Sequence, residues 1–424
     1  MRNRRFVVPC LLAGILAAGP AAATSFGLFQ HGGRAMGQAG AFTARASDPS
    51  ALTYNPAAIT HLEGLQFQAG LDFRNAEIEY DSATGSFGSK HFIDFPPAAY
   101  LTWKPGEGPF AFGLGLDSPF WYKNEWEARL FPGRFLTRKV ELTVFELHPV
   151  IAYELGGGWS VGGGIRYVAG SLEQDGNVLV GVLVPGPLLL PVELERNTSA
   201  DVDDLTWDLA VHYAAPFWGL GAVYRHQTEL KGSGKVSYTP RDLLVPGLAE
   251  PVRQRFPNGR ASQAFELPRE IRGGVWYAPY PELRLELDAS WQSWSSLEST
   301  AITYNPDPVG DGPTVETPRD WDDTLSLRLG LEGNITDDFL LYGGLAQEPS
   351  PVPDRTVEPG FPKGDALVYA AGFSYNFPAI SFDLGYSYHT HDSRGARNQE
   401  PDPRVNGSYS GDEQVWGFSV RWRL

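Results

Sequence analysis

From Leu65 onward the chain is dominated by alternation with a period of two. Leu65, Phe67, Ala69, Leu71 and Phe73 are apolar, and Gln66, Gln68, Gly70, Asp72 and Arg74 fall between them. The same register returns at Leu283, Leu285, Leu287, Ala289 and Trp291 against Arg284, Glu286, Asp288 and Ser290. It returns again at Leu325, Leu327, Leu329 and Leu331 against Ser326, Arg328, Gly330 and Glu332, and in the last stretch at Trp416, Phe418, Val420, Trp422 and Leu424. A period of two puts one set on each face of a strand. Roughly fourteen such segments are predicted: 65–75, 95–104, 109–117, 140–155, 159–173, 205–213, 218–236, 265–277, 283–294, 324–333, 339–347, 367–377, 380–390 and 413–424. Most have the roughly ten residues a tilted strand needs to cross a bilayer.

The connections alternate as well. Short ones lie at 104–108, 156–158, 214–216, 278–281, 333–338 and 378–379, and long ones near 75–94, 118–139, 174–204, 237–264, 295–323, 348–366 and 391–412. Short turns at one rim and long loops at the other predict an all-β fold, a 14-stranded antiparallel transmembrane barrel with both termini in the periplasm. A soluble sandwich or propeller, which would bury its apolar faces in a core, predicts no such long/short alternation. One detail departs from the barrel pattern: such chains usually end in an aromatic residue, whereas this one ends in Leu424 with Trp422 two positions before it.

Composition narrows the picture. Arg2, Arg4 and Arg5, the apolar run Phe6–Ala18 and the small residues Ala21-Ala22-Ala23 read as a secretory signal peptide over 1–23, leaving Thr24 as the mature start. The single cysteine, Cys10, lies inside that signal, so the mature chain has no disulfide, thiol nucleophile or zinc–thiolate site. A net charge of −16 argues against nucleic acid as a partner. No apolar run of about 20 residues follows the signal. Aromatic residues make up 13 %, which suits interfacial girdles.

Fourteen strands enclose a lumen wider than side chains alone fill. The segment 24–64 precedes the first strand and is long enough to fold inside it as a plug, with 65–424 as the barrel. His31–Ala46 is rich in Gly and Ala, which permit close packing. Asp48-Pro49 and Asn55-Pro56 each read as an N-cap followed by a first-turn proline. Two long loops carry apolar runs, Val178–Leu190 and Leu243–Leu248, which either pack on themselves or meet an apolar ligand.

At this point the chain resembles the FadL family of outer-membrane long-chain fatty acid and hydrocarbon transporters. The resemblance is carried by Asp48–Ala58, with the Asn-Pro-Ala motif at Asn55, Pro56 and Ala57, and by Gly113–Phe120, Trp291–Ser295, Trp321–Thr324 with Arg328–Gly330, Pro351–Arg355 and Gly385–Tyr388, in the family's order along nearly the whole mature chain. It implies a hatch in the lumen, a groove between two extracellular loops, a deeper pocket that the mature N-terminus can enter, and lateral release at a kink in the third strand. The kink would fall at Gly113, Gly115 and Asp117. The groove would involve Leu188, Leu189, Leu243 and Leu244, and Phe26 and Phe29 would reach the pocket. Arg166 and Arg328, at inward parity, could meet a ligand carboxylate, or could instead pair with Asp72, Asp208, Glu286 or Asp288. Asn55-Pro56-Ala57 is expected to pack near Gly113 and Gly115, coupling hatch and opening.

The expected ligand is a long-chain fatty acid or another hydrophobic small molecule, carried passively by a monomer without cofactor or metal, in contact with outer-membrane lipid and lipopolysaccharide. The acidic groups at Asp201, Asp203, Asp204 and at Asp320, Asp322, Asp323 read first as solvated loop residues, with calcium binding or lipopolysaccharide bridging as the alternative. Gly156–Gly164 lacks the Lys-Ser/Thr of a phosphate loop. An outer-membrane lipolytic enzyme would need a Ser–His pair, for which His389, His391, Ser393 and His148 are the candidates. A general porin is the nearer rival. With the lumen plugged, the intact protein should be almost silent in planar bilayers, and deleting 24–64 should raise its conductance; steady conduction by the intact protein would mark an open porin.

Overall fold

The computed structural model describes residues 31–127, 129–184, 188–241, 249–306, 313–396 and 406–424, with backbone alone over 182–184, over 188–190 and at Ala249. Phe26, Phe29, Leu243 and Leu244 lie outside the described residues, as does the segment read as a signal peptide. Fourteen wall strands form a closed antiparallel barrel. They are β1 (Gly64–Ser82), β2 (Pro97–Lys104), β3 (Phe110–Glu125), β4 (Lys139–Gly156), β5 (Trp159–Val184), β6 (Leu188–Ala214) and β7 (Trp218–Arg225 continuing as Thr228–Pro240). Then come β8 (Gly259–Leu267 continuing as Glu270–Tyr280), β9 (Leu283–Gln292), β10 (Thr324–Asn334), β11 (Phe339–Glu348), β12 (Ala366–Asn376), β13 (Ile380–Ala396) and β14 (Gly407–Arg423). The ladder closes where β1 pairs with β14, from Gln66↔Arg423 to Asp81↔Ser408.

The wall is turned inside out relative to a soluble sheet. On β9, Glu286 and Asp288 are each 1 % exposed, whereas Leu287 between them is 50 % exposed. Phe73, Leu147, Leu209, Leu325, Phe373 and Phe418 are exposed in the same way. Only a hydrocarbon surround makes that arrangement favourable, so the alternation belongs to a membrane barrel and not to a water-facing sandwich.

Two differences from the sequence-predicted strands have local causes. The stretches 218–236 and 265–277 are interrupted, at His226-Gln227 and at Pro268-Arg269. At the first break the Thr206 hydroxyl is within bonding distance of the carbonyls of His226 and Gln227, at 3.3 and 2.9 Å, and takes the place of ladder bonds. Pro268 has no N–H to offer. The segment 174–204, expected as a loop, continues β5 and β6 as one long hairpin, paired from Asp175↔Asn197 to Val184↔Leu188. Its apolar run pairs across the strands, which places Leu188 and Leu189 near the hairpin tip.

The segment after His31 fills the lumen. It comprises α1 (Gly33–Met36), turns through Ala46, α2 (Ala51–Tyr54) and a 3₁₀ turn Pro56–His61, almost all of it buried. Asn55 behaves as an N-cap, its side chain accepting from Ala57 N at 3.1 Å with Pro56 in the first turn. Asp48 acts one step earlier: its Oδ1 accepts from Ser50 N at 2.9 Å, and its carbonyl receives Ala51 N. Wall glycines make the fit. A Cβ on Gly344 would stand 2.2 Å from the carbonyl carbon of Gln38, and one on Gly162 would stand 2.9 Å from Ala57.

Gly344→Val should therefore unseat the plug at an overpacking cost of roughly 1–3 kcal/mol. The barrel itself should keep its heat-modifiable mobility on gels, while limited proteolysis cuts within 31–62 at a higher rate. Gly343→Val, where a Cβ meets only Leu331 at 4.0 Å, should leave the cutting rate unchanged.

Candidate functional site

Two buried carboxylates on β9 hold the plug by its backbone. Asp288 Oδ2 accepts from Phe42 N at 3.0 Å and Thr43 N at 2.9 Å, and Glu286 Oε1 accepts from Ala44 N at 2.7 Å and Arg45 N at 3.2 Å. Opposite them, Arg225 donates to Thr53 O at 2.8 Å and His212 Nε2 donates to Ala44 O at 2.7 Å. Asn55 Nδ2 donates to Thr43 O at 3.0 Å and to Val211 O at 3.2 Å, and Ser160 Oγ donates to Ala57 O at 3.0 Å.

Asn55-Pro56-Ala57 is thus seated on β5, β6 and β7, against Gly162 and Gly221, and not near Gly113 and Gly115 as the sequence suggested. The reason is the Asn55 amide, which finds its two carbonyl acceptors at that place. The contact with the third strand is made by the preceding helix. Leu52 fills the notch at Gly113, where a Cβ would come within 2.2 Å of Leu52 Cδ2. The Thr53 and Tyr100 hydroxyls donate to Asp117 Oδ2 at 2.5 and 2.9 Å. Gly115 meets only Tyr100 and His148 at ordinary contact distance.

Beside this contact the wall is not fully paired. β2 pairs with β3 only from Ala99↔Leu116 to Trp103↔Phe112. β3 then bulges between Asp117 and Phe120 and runs on to Glu125 with β4 as its one ladder partner. On the open side Arg74 Nη1 from β1 donates to Trp121 O at 3.4 Å, and the next backbone contacts are Lys90 N donating to Glu125 O at 2.6 Å and the Ser89↔Trp126 bridge. Proline chemistry accounts for the gap. Pro96 O is taken by Asp72 N on β1 at 3.2 Å, so the next residue, Pro97, turns its backbone toward β3 without an N–H to give. Pro119 lacks one on the facing edge.

The edge carbonyl of Ser118 is met from inside. His31 Nε2 lies 2.9 Å from Ser118 O and His31 Nδ1 lies 3.1 Å from Asp72 Oδ2. Burial alone would lower the His31 pKa. The hydrogen bond to Asp72 and the charges of Asp117 and Asp72 outweigh it, and the net shift is upward. Burial pushes the Tyr54 phenol up, and its hydroxyl donates to His31 O at 3.0 Å.

The lumen above the plug has two tiers. Inward residues are charged at one level: His148 with Asp208 at 3.2 Å, Arg272 with Glu270 at 2.9 Å, Arg328 with Glu348 at 3.0 Å, and Arg166 with Glu146. The same strands turn apolar beyond it, at Val140, Leu142 and Val144 on β4, Val168 and Leu172 on β5, and Phe265 and Leu267 on β8. Loop residues complete this chamber and fill it: Phe131, Trp294, Trp321 and Phe361 pack with Tyr122 and Trp126 in one buried cluster. The connection between β11 and β12 is tied to β3 by Tyr122 donating to Gly360 O at 2.7 Å and by Trp126 Nε1 donating to Pro359 O at 2.8 Å.

Arg166 and Arg328 both face inward and both are ion-paired, but with Glu146 and Glu348, their diagonal cross-strand neighbours, and not with the four acids considered from sequence. Asp72 and Asp208 instead meet histidines, and Glu286 and Asp288 hold the plug. Sequence reading missed His31, Thr53 and Tyr100, and the seating of Leu52 at Gly113. The facing prolines 97 and 119 were the signal for the gap, and the switch from polar to apolar residues at inward parity was the signal for the chamber.

Comparison with known proteins agrees with this geometry. Residues 14–424 match the family model described as "Outer membrane protein transport protein (OMPP1/FadL/TodX)". The chain belongs to that family. It is an outer-membrane channel of the FadL/TodX type. Among its relatives are Outer membrane protein P1 of Haemophilus influenzae, 22 % identical with 89 % of this chain and 88 % of that protein covered, and the long-chain fatty acid transport protein of Escherichia coli K12, 22 % identical with 84 % of each covered. The crystal structure of a Pseudomonas aeruginosa FadL homologue has a TM-score of 0.80 at 20 % identity, covering 94 % of this chain and all (100 %) of that one. That of the Pseudomonas putida toluene transporter TodX has a TM-score of 0.72 at 16 % identity, covering 94 % and 99 %.

In this FadL/TodX-type channel the Asp117 carboxylate is, beside His31 on Ser118 O, a polar tie between plug and gap. Asp117→Ala leaves two buried hydroxyls without their acceptor, at a cost of roughly 1–3 kcal/mol. Amide hydrogen exchange should rise over 50–57 while the β9 contacts at 42–45 stay protected.

Proposed function

We propose that the channel takes up long-chain fatty acids or apolar aromatic compounds passively, passing them through the apolar chamber and out sideways between β2 and β3. One observation carries this reading. Phe120 and Tyr122 line the chamber and lie on the same stretch of β3 that has no ladder partner toward β2. A ligand held by those rings is one strand's thickness from lipid. The relatives' names, a long-chain fatty acid transport protein and a toluene transporter, support ligands of this class.

The physics favours the lateral route. Each exposed CH₂ costs about 0.8 kcal/mol in water. Passage straight down would take the chain through the charged tier and past the plug. Passage through the gap keeps it among aromatic and aliphatic groups until it meets acyl chains. No energy source is required, because the bilayer is the lower-energy destination and later consumption draws the flux. The Asn-Pro-Ala segment serves as the anchor of the hatch, and Leu52, Thr53 and His31 set the shape of the exit. The protein acts as a monomer set in lipid and lipopolysaccharide and makes or breaks no bond in its ligand. The Ser393 hydroxyl lies 2.9 Å from that of Ser408, and His391 Nδ1 lies 3.4 Å from Gly364 O, so neither is arranged as a nucleophile and its base.

The test restores the missing donors. Pro97→Thr with Pro119→Thr gives both edges an N–H and should let the gap zip up. Uptake of labelled oleate and of toluene by a strain depending on this channel should fall several-fold, with the amount of folded barrel unchanged. Undiminished uptake of both would rule out exit between β2 and β3.

A further inference from the structure

The short-turn rim, which in outer-membrane barrels faces the periplasm, holds a polar cavity of about 310 Å³ beneath the plug. Five arginines line it, Arg34 and Arg45 from the plug and Arg284, Arg421 and Arg423 from the wall, against two carboxylates, Glu332 and Asp337. The chain as a whole carries −16, so this concentration of positive charge runs against its average.

The arginines are only partly neutralised by their neighbours. Glu332 is buried and already shared: Arg34 donates to its Oε2 at 2.7 Å and Arg284 to its Oε1 at 3.0 Å. Arg45 donates from Nη2 to Gln38 Oε1, while its Nη1 at 3.5 Å from Glu332 and its Nε at 3.8 Å from Glu286 are buried without a hydrogen bond. Arg421 donates once, to Asn376 Oδ1 at 3.2 Å, and its buried Nε donates to nothing. Among the described residues the Arg423 guanidinium has no ion pair or hydrogen bond. Asp383, behind Arg421, is engaged by the Ser374 and Ser419 hydroxyls. Buried guanidinium N–H groups left unsatisfied are costly, and the planar fork is built for oxyanions.

The geometry assigns this vestibule as an oxyanion-binding site, for a phosphate or a carboxylate group held between plug and wall by Arg45, Arg421 and Arg423. The anion can arrive free or as the head of an organic acid. This assignment does not depend on which ligand the apolar chamber carries.

Isothermal titration of the whole mature protein in a neutral detergent at low salt tests it, with inorganic phosphate and with octanoate below its micelle concentration. Saturable phosphate binding is expected, weakened at least about tenfold in Arg421→Gln/Arg423→Gln. Arg423→Gln alone removes an exposed, unpaired side chain, and so tests the site even where the double variant fails to assemble; a smaller loss is expected there. Octanoate that competes with phosphate identifies the anion as an organic acid's head, and octanoate without effect identifies a free oxyanion. Absence of saturable binding by both probes, or affinities unchanged in the two variants, overturns the assignment.

Discussion

In hydrocarbon there is no water to satisfy a backbone N–H or C=O, so a sheet that crosses a membrane must close on itself. The rest of this structure follows from how that requirement is met and where it is relaxed. Closure brings β1 to β14 and leaves a lumen that must be filled. The relaxation is local, along β3 beyond Leu116, where prolines on both edges remove the donors that pairing would need. One carbonyl exposed by that gap, Ser118 O, is met from inside by His31 at the start of the plug. The gap and the plug are therefore parts of one arrangement: the plug supplies polar partners that a complete sheet would have supplied.

Among its described residues the plug has no strand to pair with the wall; its backbone groups bond within its own turns or to wall side chains. Asp288 and Glu286 take four of its N–H groups, and Arg225, His212 and Ser160 serve three of its carbonyls. Close approach is possible because the wall carries glycine where the plug backbone touches it, at 162, 221, 344 and 385. Glycine and charge do different jobs here. The glycines let the plug in, and the carboxylates decide its orientation.

Tiering of the lumen separates two kinds of chemistry along one axis. Ion pairs at the level of Glu146, His148, Arg166 and Asp208 form a floor that an apolar molecule has no reason to enter. The aromatic cluster above it includes Phe120 and Tyr122, on the stretch of β3 that has no ladder partner on β2. Arg166 and Arg328 belong to that floor through Glu146 and Glu348, their diagonal neighbours on adjacent strands, while Asp208 and Asp288, at least as near in register, are engaged by His148 and by the plug.

What the sequence determined by itself was whatever depends on local period and local sterics. A period of two, turn residues at regular spacing and long runs without charge on one parity specify strands, their number and the face each residue takes. Asn55-Pro56 specifies a capped turn for the same reason, since cap and proline act within three residues of one another. Long-range partners are different. Which wall glycine meets Ala57, which acid meets Arg166, and that Leu52 rather than the Asn-Pro-Ala motif reaches Gly113 all depend on the angle at which the plug sits in the barrel. The segment 178–190 shows the same limit, reading as a greasy loop until its register with the opposite strand made it a hairpin. Closure decided these matters, because it brings together residues hundreds of positions apart at distances that no local pattern records.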